Sequence, residues 1–569
     1  MSLKATLYNS GTGLWESYEK PVGILKASEV SEVRGVLQSA ESASQEGLTA
    51  IGFVSFEAAA AFDENFTSAS SDRPLALFGL YDRINSVSSP VFESGPIKLH
   101  PKCSRSAYLQ KVDIIKAYLA AGDSYQVNLT HQLEGPWRDS VEGLFARLIT
   151  SQPTVYAACL DWQDGAICSV SPELFFSLDQ GVIRTEPMKG TRSRGKTPAE
   201  DLIQRVCLVD SEKDRAENLM IVDMIRNDLG KIAEMGTVSV DQLFELRQLP
   251  TVWQQVSRVS ARTQAGVDEI FAALFPCASI TGAPKSRTME IISELEGLPR
   301  GVYTGAIGFI KPNRQAQFSV AIRTLVVDKE AERLSYGVGG GIVWDSEPEK
   351  EWQETLDKAA LLNVASAPFR LLETLLFSPG SSIYLQEYHL DRLENSARYF
   401  GFEFNRSWIS EKLTVFQSDQ QQRLRLLLGR GGEIEIQAIP CPRVVSKVRL
   451  KLAAMSINKM NPFLFHKTTH RSVYENARAG LDNCDDVLLW NESGELTETT
   501  IYNIYVEIDG QLLTPPVSSG LLAGVYRREM LATGRAMESR LLKEDLDRAT
   551  RLFVSNSVRG LIPAELVLT

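Results

Sequence analysis

The chain has 569 residues, of which 44% are hydrophobic and 23% are charged, and its formal net charge at pH 7 is −11. A chain of this length exceeds one compact core, so we expect two or more domains. The composition is that of an ordinary soluble protein, and an acidic chain without a basic run argues against nucleic acid as the main partner.

The seven cysteines include no Cys-x-x-Cys pair, and their odd number indicates free thiols in a reducing compartment. The five histidines lack the spacing of a zinc site. The N-terminal residues contain no apolar signal core, and no apolar run reaches the roughly 18 residues that a spanning helix needs. We therefore predict a cytoplasmic protein without membrane contacts.

The apolar periodicity predicts a mixed α+β chain. Strands are predicted at 51–56, 75–81, 157–161, 174–178, 305–310, 318–327 and 337–343. Helices are predicted at 106–121, ended by Gly122, and at 211–232, 287–298 and 349–364. Much of this sheet is non-local, which is typical of an α+β fold.

The segment 363–368 consists mainly of small residues and ends in proline, so we place a domain boundary there. The predicted domains are residues 1–363, with a core at 100–362, and residues 369–569. The second domain is predicted to contain a helix at 387–400, strands at 423–428, 433–439 and 448–454, and a hairpin around 492–495.

Two pairs of carboxylates lie three residues apart on predicted helices. Glu351 and Glu354 share one helix face, and so do Asp214 and Glu217. So many carboxylate oxygens, with no histidine or cysteine nearby, favour magnesium, which is a hard cation. The alternative is a solvated helix face whose carboxylates form salt bridges with lysines such as Lys358.

A run of glycines, Gly337 and 339–341, follows a strand-like stretch. Glycines let backbone amides approach an anion closely, although a sharp turn or bulge explains the run equally well. Arg323 is a charge in an otherwise apolar strand. Such a cation pairs either with a structural acid or with a substrate carboxylate.

Eight motifs in a fixed order carry a family resemblance. They lie at 122–128, 171–173, 187–191, 214–218, 222–228, 279–285, 303–308 and 339–358. In this order they resemble the chorismate-utilising enzymes, which include anthranilate synthase component I, aminodeoxychorismate synthase component I, and isochorismate and salicylate relatives. The resemblance implies a β-sandwich domain with helices.

The resemblance also implies roles for single residues. Glu217, Glu351 and Glu354 would hold magnesium, which grips the ring carboxylate of chorismate. Glu173 would lie near the departing hydroxyl as a general acid or base, a role that suits a carboxyl with a raised pKa. The implied substrate-binding residues are Thr281, Tyr303, Arg323, Gly339, Gly340 and Gly341, of which Tyr303, Arg323 and the amides around Gly340 would hold the enolpyruvyl carboxylate.

Lys189 distinguishes the branches of the family. Anthranilate synthases carry a small residue here, whereas the aminodeoxychorismate branch carries a lysine that attacks carbon 2 of chorismate. Ammonia then attacks carbon 4 and expels the lysine. A lysine that is desolvated beside Arg192 and Arg194 would be neutral enough to attack. The alternative is that Lys189 only anchors the carboxylates of chorismate.

Position 254 departs from the family pattern. Many relatives have a histidine there, and Gln254 cannot carry a proton at neutral pH. This favours a site that stops at aminodeoxychorismate and does not aromatise it. The sequence shows no Cys/His/Glu constellation of a glutaminase, so we expect a separate glutamine amidotransferase subunit to supply ammonia.

A second set of motifs surrounds Lys467. The motifs lie at 389–397, 467–476, where a helix is predicted to open, and at 497–505, 513–516 and 519–527. In this order they resemble the class IV pyridoxal-phosphate enzymes, which include branched-chain and D-amino-acid aminotransferases and aminodeoxychorismate lyase. The resemblance implies a fold-type IV α/β domain.

In this second domain Lys467 would hold pyridoxal phosphate covalently and move protons, and Glu498 would pair with the pyridinium nitrogen. The implied phosphate contacts are Arg392, the amides of Val525 and Tyr526 at a helix start, and Ser557. Alternatively, Arg392 is a helix partner and Ser557 is a turn residue. The domain begins at Phe369 without the usual opening hairpin, so either a partner domain or second protomer supplies it, or the enzyme is weakened.

The two resemblances together predict consecutive reactions. Chorismate would be aminated to 4-amino-4-deoxychorismate, and loss of pyruvate would then give 4-aminobenzoate, a folate precursor. Two alternatives remain for the second domain. It is either a class IV aminotransferase of other specificity or an inactive scaffold that docks the amidotransferase.

Overall fold

This computed structural model describes residues 2–9, 13–87, 97–363, 369–441, 445–479, 481 and 483–567. The chain separates into two compact units, Met1–Arg194 with Gln204–Ser366, and Gly195–Ile203 with Ala367–Thr569. The predicted boundary at 364–368 lies outside the described residues. No helix in the described ranges is long and apolar enough to cross a membrane. All seven cysteines are free thiols, as predicted.

The α-helices follow in chain order: α1 Val33–Gln45, α2 Arg105–Ala121, α3 Val141–Ser151, α4 Pro198–Val209, α5 Glu212–Gly230, α6 Val267–Leu274, α7 Lys285–Glu296, α8 Pro348–Ala359, α9 Gln386–Phe400, α10 Arg406–Thr414, α11 Ser472–Arg478 and α12 Val525–Ala532. The predicted end of α2 is confirmed, because Gly122 adopts a φ of +81° that a residue with a side chain rarely takes.

The strands of the first unit are β1 Leu3–Asn9, β2 Leu14–Tyr18, β3 Gly23–Ala27, β4 Thr49–Val54, β5 Ala76–Tyr81, β6 Asn85–Val87, β7 His100–Pro101, β8 Gln126–Pro136, β9 Tyr156–Trp162, β10 Gly165–Ser171, β11 Leu174–Asp179, β12 Val182–Glu186, β13 Met188–Ser193, β14 Ser239–Gln248, β15 Val252–Arg262, β16 Gly282–Ala283, β17 Ala306–Lys311, β18 Gln315–Val320, β19 Thr324–Asp328 and β20 Arg333–Ile342. The strands of the second unit are β21 Leu371–Phe377, β22 Gln422–Leu428, β23 Ile434–Pro440, β24 Val448–Leu452, β25 Asp486–Trp490, β26 Leu496–Thr499, β27 Asn503–Ile508, β28 Gln511–Thr514, β29 Met537–Glu538, β30 Arg551–Asn556 and β31 Gly560–Leu566.

The first unit is the predicted β-sandwich with helices. One sheet has the order β16-β8-β20-β19-β10-β9-β1-β2-β6, with β7 beside β8. The other has the order β13-β15-β12-β11-β18-β17-β4-β5-β3, with β14 beside β15. Apolar side chains of both sheets meet between them, as in the pair Phe53 and Trp162, whose ring centroids lie 5.7 Å apart. Burial of these faces against each other removes apolar surface from water.

The prediction of one strand over 318–327 is wrong. β18 ends at Val320 in one sheet, and β19 begins at Thr324 in the other. Packed sheets lie about 10 Å apart, so one continuous strand cannot belong to both. Arg323 lies at this break with a φ of +49°, which is a left-handed conformation.

The second unit contains two sheets. β21, β22 and β23 form an antiparallel sheet, and α9 packs against its first strand. The other sheet has the order β26-β25-β24-β31-β30-β27-β28-β29, and β24 runs parallel to both of its neighbours. Lys467 does not open a helix as predicted, because α11 begins only at Ser472. It directly precedes Thr468, which forms an isolated β-bridge with Leu371, and the amide of Leu372 donates to the carbonyl oxygen of Lys467 over 2.9 Å.

Candidate active sites

A cavity of about 180 Å³ lies in the first unit, where β13, α5, β20 and α8 meet. The sheet crossing at Arg323 makes room for it. β19 pairs with β20 only as far as Tyr336, so the following part of β20 has a free edge on that side. The cavity is lined by the sequence-predicted residues Glu173, Lys189, Glu217, Gln254, Tyr303, Arg323, Gly339, Gly341, Glu351 and Glu354.

The glycine run lies within β20, so the turn that we considered for it is wrong. The missing side chains of these glycines leave room for the cavity and for close packing of the neighbouring strand. A β-carbon on Gly341 would lie 2.8 Å from Lys189 Nζ, and one on Gly339 would lie 2.5 Å from Leu129 O. Larger residues at these two positions would fill the cavity or force the strands apart. Gly340 does not line the cavity, although its Cα faces Glu351 on α8.

Lys189 projects from β13 into this cavity. Desolvation lowers its pKa, and the positive charge of Lys358 lowers it further, whereas Glu217 and Glu173 act in the opposite direction. The predicted role of Arg192 and Arg194 is wrong. Arg194 lies over the ring of Trp253 at 5.2 Å, and the cation that acts on Lys189 is Lys358 of α8.

Glu173 is buried beside Lys189, between β10 and β11. Ser279 Oγ donates a hydrogen bond to Glu173 Oε1 over 2.5 Å. Burial raises the pKa of Glu173 to about 7, although Ser279 and Lys189 favour its charged form. This carboxyl can therefore hold a proton near neutral pH, as the sequence analysis expected.

The three predicted magnesium ligands project from α5 and α8 towards the same cavity. Burial raises the pKa of Glu217 and of Glu351, and the charge of Glu354 contributes to both shifts. Glu354 pairs with Lys358 over 2.6 Å, which lowers its pKa. In the described part of the chain, no three side chains are gathered closely enough to hold a metal ion.

Of the six predicted substrate contacts, four line the cavity, namely Tyr303, Arg323, Gly339 and Gly341, whereas Thr281 and Gly340 do not. Tyr303 and Arg323 are buried at the cavity wall, and Arg323 donates to the neutral Gln152 side chain instead of to an acid. Thr281 does not line the cavity. Its hydroxyl donates to Cys277 O over 2.9 Å, so it stabilises the backbone turn that presents Ser279.

A second cavity of about 190 Å³ lies in the other unit and contains Lys467 and Glu498. Burial lowers the pKa of Lys467 to about 8, and the charge of Arg392 contributes to this shift. Glu498 accepts hydrogen bonds from Tyr474 Oη over 2.8 Å and from the amide of Leu522 over 3.1 Å. Burial nevertheless raises the pKa of Glu498 to about 7.

Arg392 is neither free nor paired within its own helix. Its Nε and NH2 groups donate to Glu373 of β21 over 2.8 and 2.7 Å, and its NH1 donates to Ala523 O. His389 Nδ1 also lies 2.6 Å from Glu373. These two partners hold the pKa of Glu373 at about 2 despite its burial, so the carboxylate stays charged and fixes the guanidinium.

The other predicted phosphate contacts differ in position. Val525 lines the cavity at the first position of α12, after Gly524. A β-carbon on Gly524 would lie 1.8 Å from Asn503 Oδ1, so only glycine fits there. Ser557 lines the cavity, but its hydroxyl donates to Thr374 O over 3.2 Å. Tyr526 is not among the lining residues.

The family profile described as chorismate binding enzyme matches residues 6–363. The chain belongs to the chorismate-binding enzyme family. A second profile, described as amino-transferase class IV, matches residues 370–567, so the chorismate-binding unit is followed by a class IV aminotransferase domain.

Relatives with two different activities match the chain. It is 43% identical to an aminodeoxychorismate synthase of Streptomyces griseus over 50% of this chain and 39% of that protein. It is 41% identical to an anthranilate synthase component 1 of Haloarcula marismortui over 49% of this chain and 57% of that protein. The chain therefore spans roughly half the length of the curated relatives that it matches. Overall similarity does not choose between the two activities, so the choice depends on the site.

The fold of the chorismate-binding unit occurs in a solved structure. Anthranilate synthase component I from Streptococcus pneumoniae superposes with a TM-score of 0.52 at 23% identity, and the match covers 63% of this chain and 90% of that one. At this identity the likeness concerns the fold alone.

Sequence reasoning missed several residues of both cavities. In the chorismate-binding unit these are Lys358, which lines the cavity and donates to Gly339 O over 2.8 Å, and Gln126, which lies behind the cavity wall and whose buried amide has no partner in the described structure. A β-carbon on Gly341 would lie 2.9 Å from Gln126 Nε2, so this amide is close to Lys189. In the class IV domain the missed residues are Arg423, Arg471 and Arg559. Lys358 and Gln126 both lie within the family motifs, so their motif positions could have identified them as site residues.

Proposed function

We propose that the chain makes 4-aminobenzoate from chorismate in two steps. The chorismate-binding unit aminates chorismate to 4-amino-4-deoxychorismate, and the class IV domain removes pyruvate from this intermediate. The observation that carries the proposal is Lys189, a desolvated lysine beside a carboxyl that can hold a proton. A small residue at this position would leave the first cavity without a nucleophile.

In the first step the neutral amine of Lys189 attacks carbon 2 of chorismate. Both ring double bonds shift and the bond from carbon 4 to its hydroxyl breaks, while Glu173 gives that hydroxyl a proton so that it leaves as water. Ammonia then attacks carbon 4, both double bonds shift back, and Lys189 departs from carbon 2. The proton lost by the new amine restores the protonated state of the site, so no oxidant is needed.

Magnesium fits the chemistry of the first cavity. Glu217, Glu351 and Glu354 supply oxygen ligands, and burial raises the pKa values of the first two, with a smaller contribution from the charge of Glu354. A divalent cation would offset the cost of burying these charges, draw the three side chains closer together than they lie in the described structure, and compete with Lys358 for Glu354. These three residues would hold magnesium, which would bind the ring carboxylate of chorismate.

The acid–base groups of the first site predict that the rate of amination passes through a maximum as the pH rises. Amination should speed up with rising pH as Lys189 loses its proton, and slow down as Glu173, with a pKa of about 7, loses its own. In Glu173→Gln the overall rate should fall about a hundredfold or more, and the decline at high pH should vanish. The rate is measured at a fixed concentration of free ammonia. Glu290→Gln, on the exposed side of α7, should retain the maximum. A maximum that persists in Glu173→Gln would contradict the assignment.

Pyridoxal phosphate fits the second cavity. Lys467 would hold it, Glu498 would pair with its ring nitrogen, and Arg392 with the amide of Val525 would bind its phosphate at the start of α12. When bound, this cofactor supplies a sink for the electrons of a broken carbon–hydrogen bond. Lys467, whose pKa is about 8, would take the proton from the amine-bearing carbon. The bond from the neighbouring ring carbon to the enolpyruvyl oxygen would break, the released enolpyruvate would take up a proton to become pyruvate, and the ring would become aromatic.

Glu373 is expected to set the affinity for the cofactor phosphate, because it fixes two nitrogens of Arg392. In Glu373→Gln, pyridoxal phosphate should bind about tenfold more weakly, whereas pyridoxal, which lacks the phosphate, should bind as before. Equilibrium dialysis measures both. The control Glu394→Gln changes an acid on α9, the helix that carries Arg392, but this acid pairs with Arg406 instead. Unchanged or tighter binding of pyridoxal phosphate to Glu373→Gln would contradict this prediction.

The nitrogen is ammonia, which a separate glutamine amidotransferase subunit supplies. This is supported by the sequence, which lacks a glutaminase constellation. The purified chain should therefore convert chorismate with ammonium but not with glutamine alone. Product formation from glutamine by the isolated chain would contradict a separate subunit.

One product assay tests the whole proposal. The chain is incubated with chorismate, ammonium, magnesium and pyridoxal phosphate, and the products are separated by chromatography. Release of 4-aminobenzoate and pyruvate supports both steps. Accumulation of aminodeoxychorismate alone would leave the first step standing and would favour an aminotransferase of other specificity or a scaffold in place of the lyase.

A further inference from the structure

The second cavity carries more positive charge than a cofactor phosphate requires. Its lining includes five basic side chains and a single carboxylate, Glu498. The basic residues are Arg392, Arg423, Lys467, Arg471 and Arg559. Arg392 is already balanced by Glu373. Lys467 is the reacting group, which leaves three arginines without an assigned partner.

These three arginines differ from Arg392 in their partners. None of them forms an ion pair with a carboxylate within the described ranges. Arg471 donates to Thr500 O and lies over the ring of Tyr474 at 4.7 Å. Arg559 donates to the hydroxyl of Tyr502. Neutral partners of this kind orient a guanidinium without cancelling its charge, so it stays available to an anion.

We propose that Arg423, Arg471 and Arg559 bind a substrate that carries two carboxylates. Each guanidinium can engage a carboxylate through two parallel hydrogen bonds. This assignment rests on the proposed function, in which α12 and Arg392 take the cofactor phosphate. An amino acid with one carboxylate and an apolar side chain would leave two of these three cations without a carboxylate, whereas a dicarboxylate would leave only one, so the dicarboxylate is favoured.

The position of Arg471 indicates where one carboxylate lies. It follows Lys467 by four residues, and its charge helps to lower the pKa of Lys467 and opposes the rise in the pKa of Glu498. Arg471 is therefore near the reacting amine. Arg423, on β22, and Arg559, between β30 and β31, line other parts of the wall and suit the second carboxylate.

The test uses isophthalate, a ring with two carboxylates, and benzoate, which has one. Neither contains an amine, so neither can react. Titration calorimetry with excess pyridoxal phosphate measures their binding to wild type and to Arg423→Gln, Arg471→Gln and Arg559→Gln. The part of the binding that these variants lose belongs to the second cavity, because the first cavity is unchanged. Arg551→Gln is the matched control, since Arg551 is exposed on β30 and pairs with Glu507.

We expect isophthalate to bind at least about tenfold more tightly than benzoate, with about a tenfold loss in Arg471→Gln and no change in Arg551→Gln. Thermal unfolding of each variant verifies that it is folded, and added salt should weaken the wild-type binding. Equal affinity of wild type for the two probes overturns the proposal. So does isophthalate binding that is as tight in all three arginine variants as in wild type.

The outcome is separable from that of the product assay. If isophthalate binds through the arginines but no 4-aminobenzoate is released, the substrate class stands and the lyase reaction falls. If 4-aminobenzoate is released while isophthalate shows no preference over benzoate, the lyase reaction stands and the arginine assignment falls.

Discussion

Lys189→Ala is expected to slow formation of aminodeoxychorismate by about a thousandfold or more, because it removes the group that forms the first bond to chorismate. Binding of chorismate should persist, since Arg323, Tyr303 and the glycine edge of β20 remain. The rate is measured with ammonium as the nitrogen source, and the binding by calorimetry.

The variant Lys189→Arg distinguishes between the two proposed roles of Lys189, nucleophile and electrostatic anchor. Arginine keeps the positive charge, so an anchor would tolerate it, but its guanidinium is not a nucleophile at neutral pH. We therefore expect Lys189→Arg to be as slow as Lys189→Ala. Lys350→Ala, an exposed change on α8, is the control and should leave the rate unchanged. Full activity of Lys189→Ala would exclude the nucleophile, although not the family.

The covalent adduct between Lys189 and the substrate ring can also be trapped in the wild-type protein. Without ammonia the reaction should stop after Lys189 has bonded to carbon 2 and water has left. Mass spectrometry of the intact chain should then show the mass of chorismate minus water. The same experiment on Lys189→Ala should show no added mass, which ties the adduct to this residue.

Lys467→Ala is expected to abolish release of 4-aminobenzoate, so that aminodeoxychorismate accumulates at the wild-type rate. The lysine both holds the cofactor and accepts the proton, and loss of such a group costs about a thousandfold or more. Chromatography of both compounds measures the effect. The two units bear separate cavities, so amination should continue in this variant.

Two comparisons make the Lys467 result specific. Lys447→Ala changes a half-exposed lysine that pairs with Glu565, and it should release 4-aminobenzoate normally. Absorbance of bound pyridoxal phosphate should be lost in Lys467→Ala and retained in Lys447→Ala. If Lys467→Ala still releases 4-aminobenzoate at the wild-type rate, the class IV domain is not the lyase.

Motif order alone identified both families and placed most of the first cavity. Lys189 and Glu173 could be named because they stand in motifs that resemble those of the family, and Glu351 and Glu354 because their spacing puts both on one helix face. The end of α2 was predictable because it is set by local residues. The αL conformation that ends α2 depends only on Gly122 and its immediate neighbours.

The tertiary structure decided which charges meet. Lys358 acts on Lys189 from 169 positions further along the chain, whereas Arg192 and Arg194, close in sequence, do not. A strand alternates its side chains between two faces, so neighbours in sequence separate in space, and distant elements bring partners together.

Contacts between distant elements also explain the other differences between prediction and structure. The apolar run around Arg323 reads as one strand because both halves are buried, yet the halves belong to different sheets. Glu373 and Arg392 form their ion pair because α9 packs against β21. The sequence thus determined the chemical groups and their local structure. Packing of non-local elements determined their charge states and partners, because burial and ion pairing depend on distances that no sequence spacing specifies.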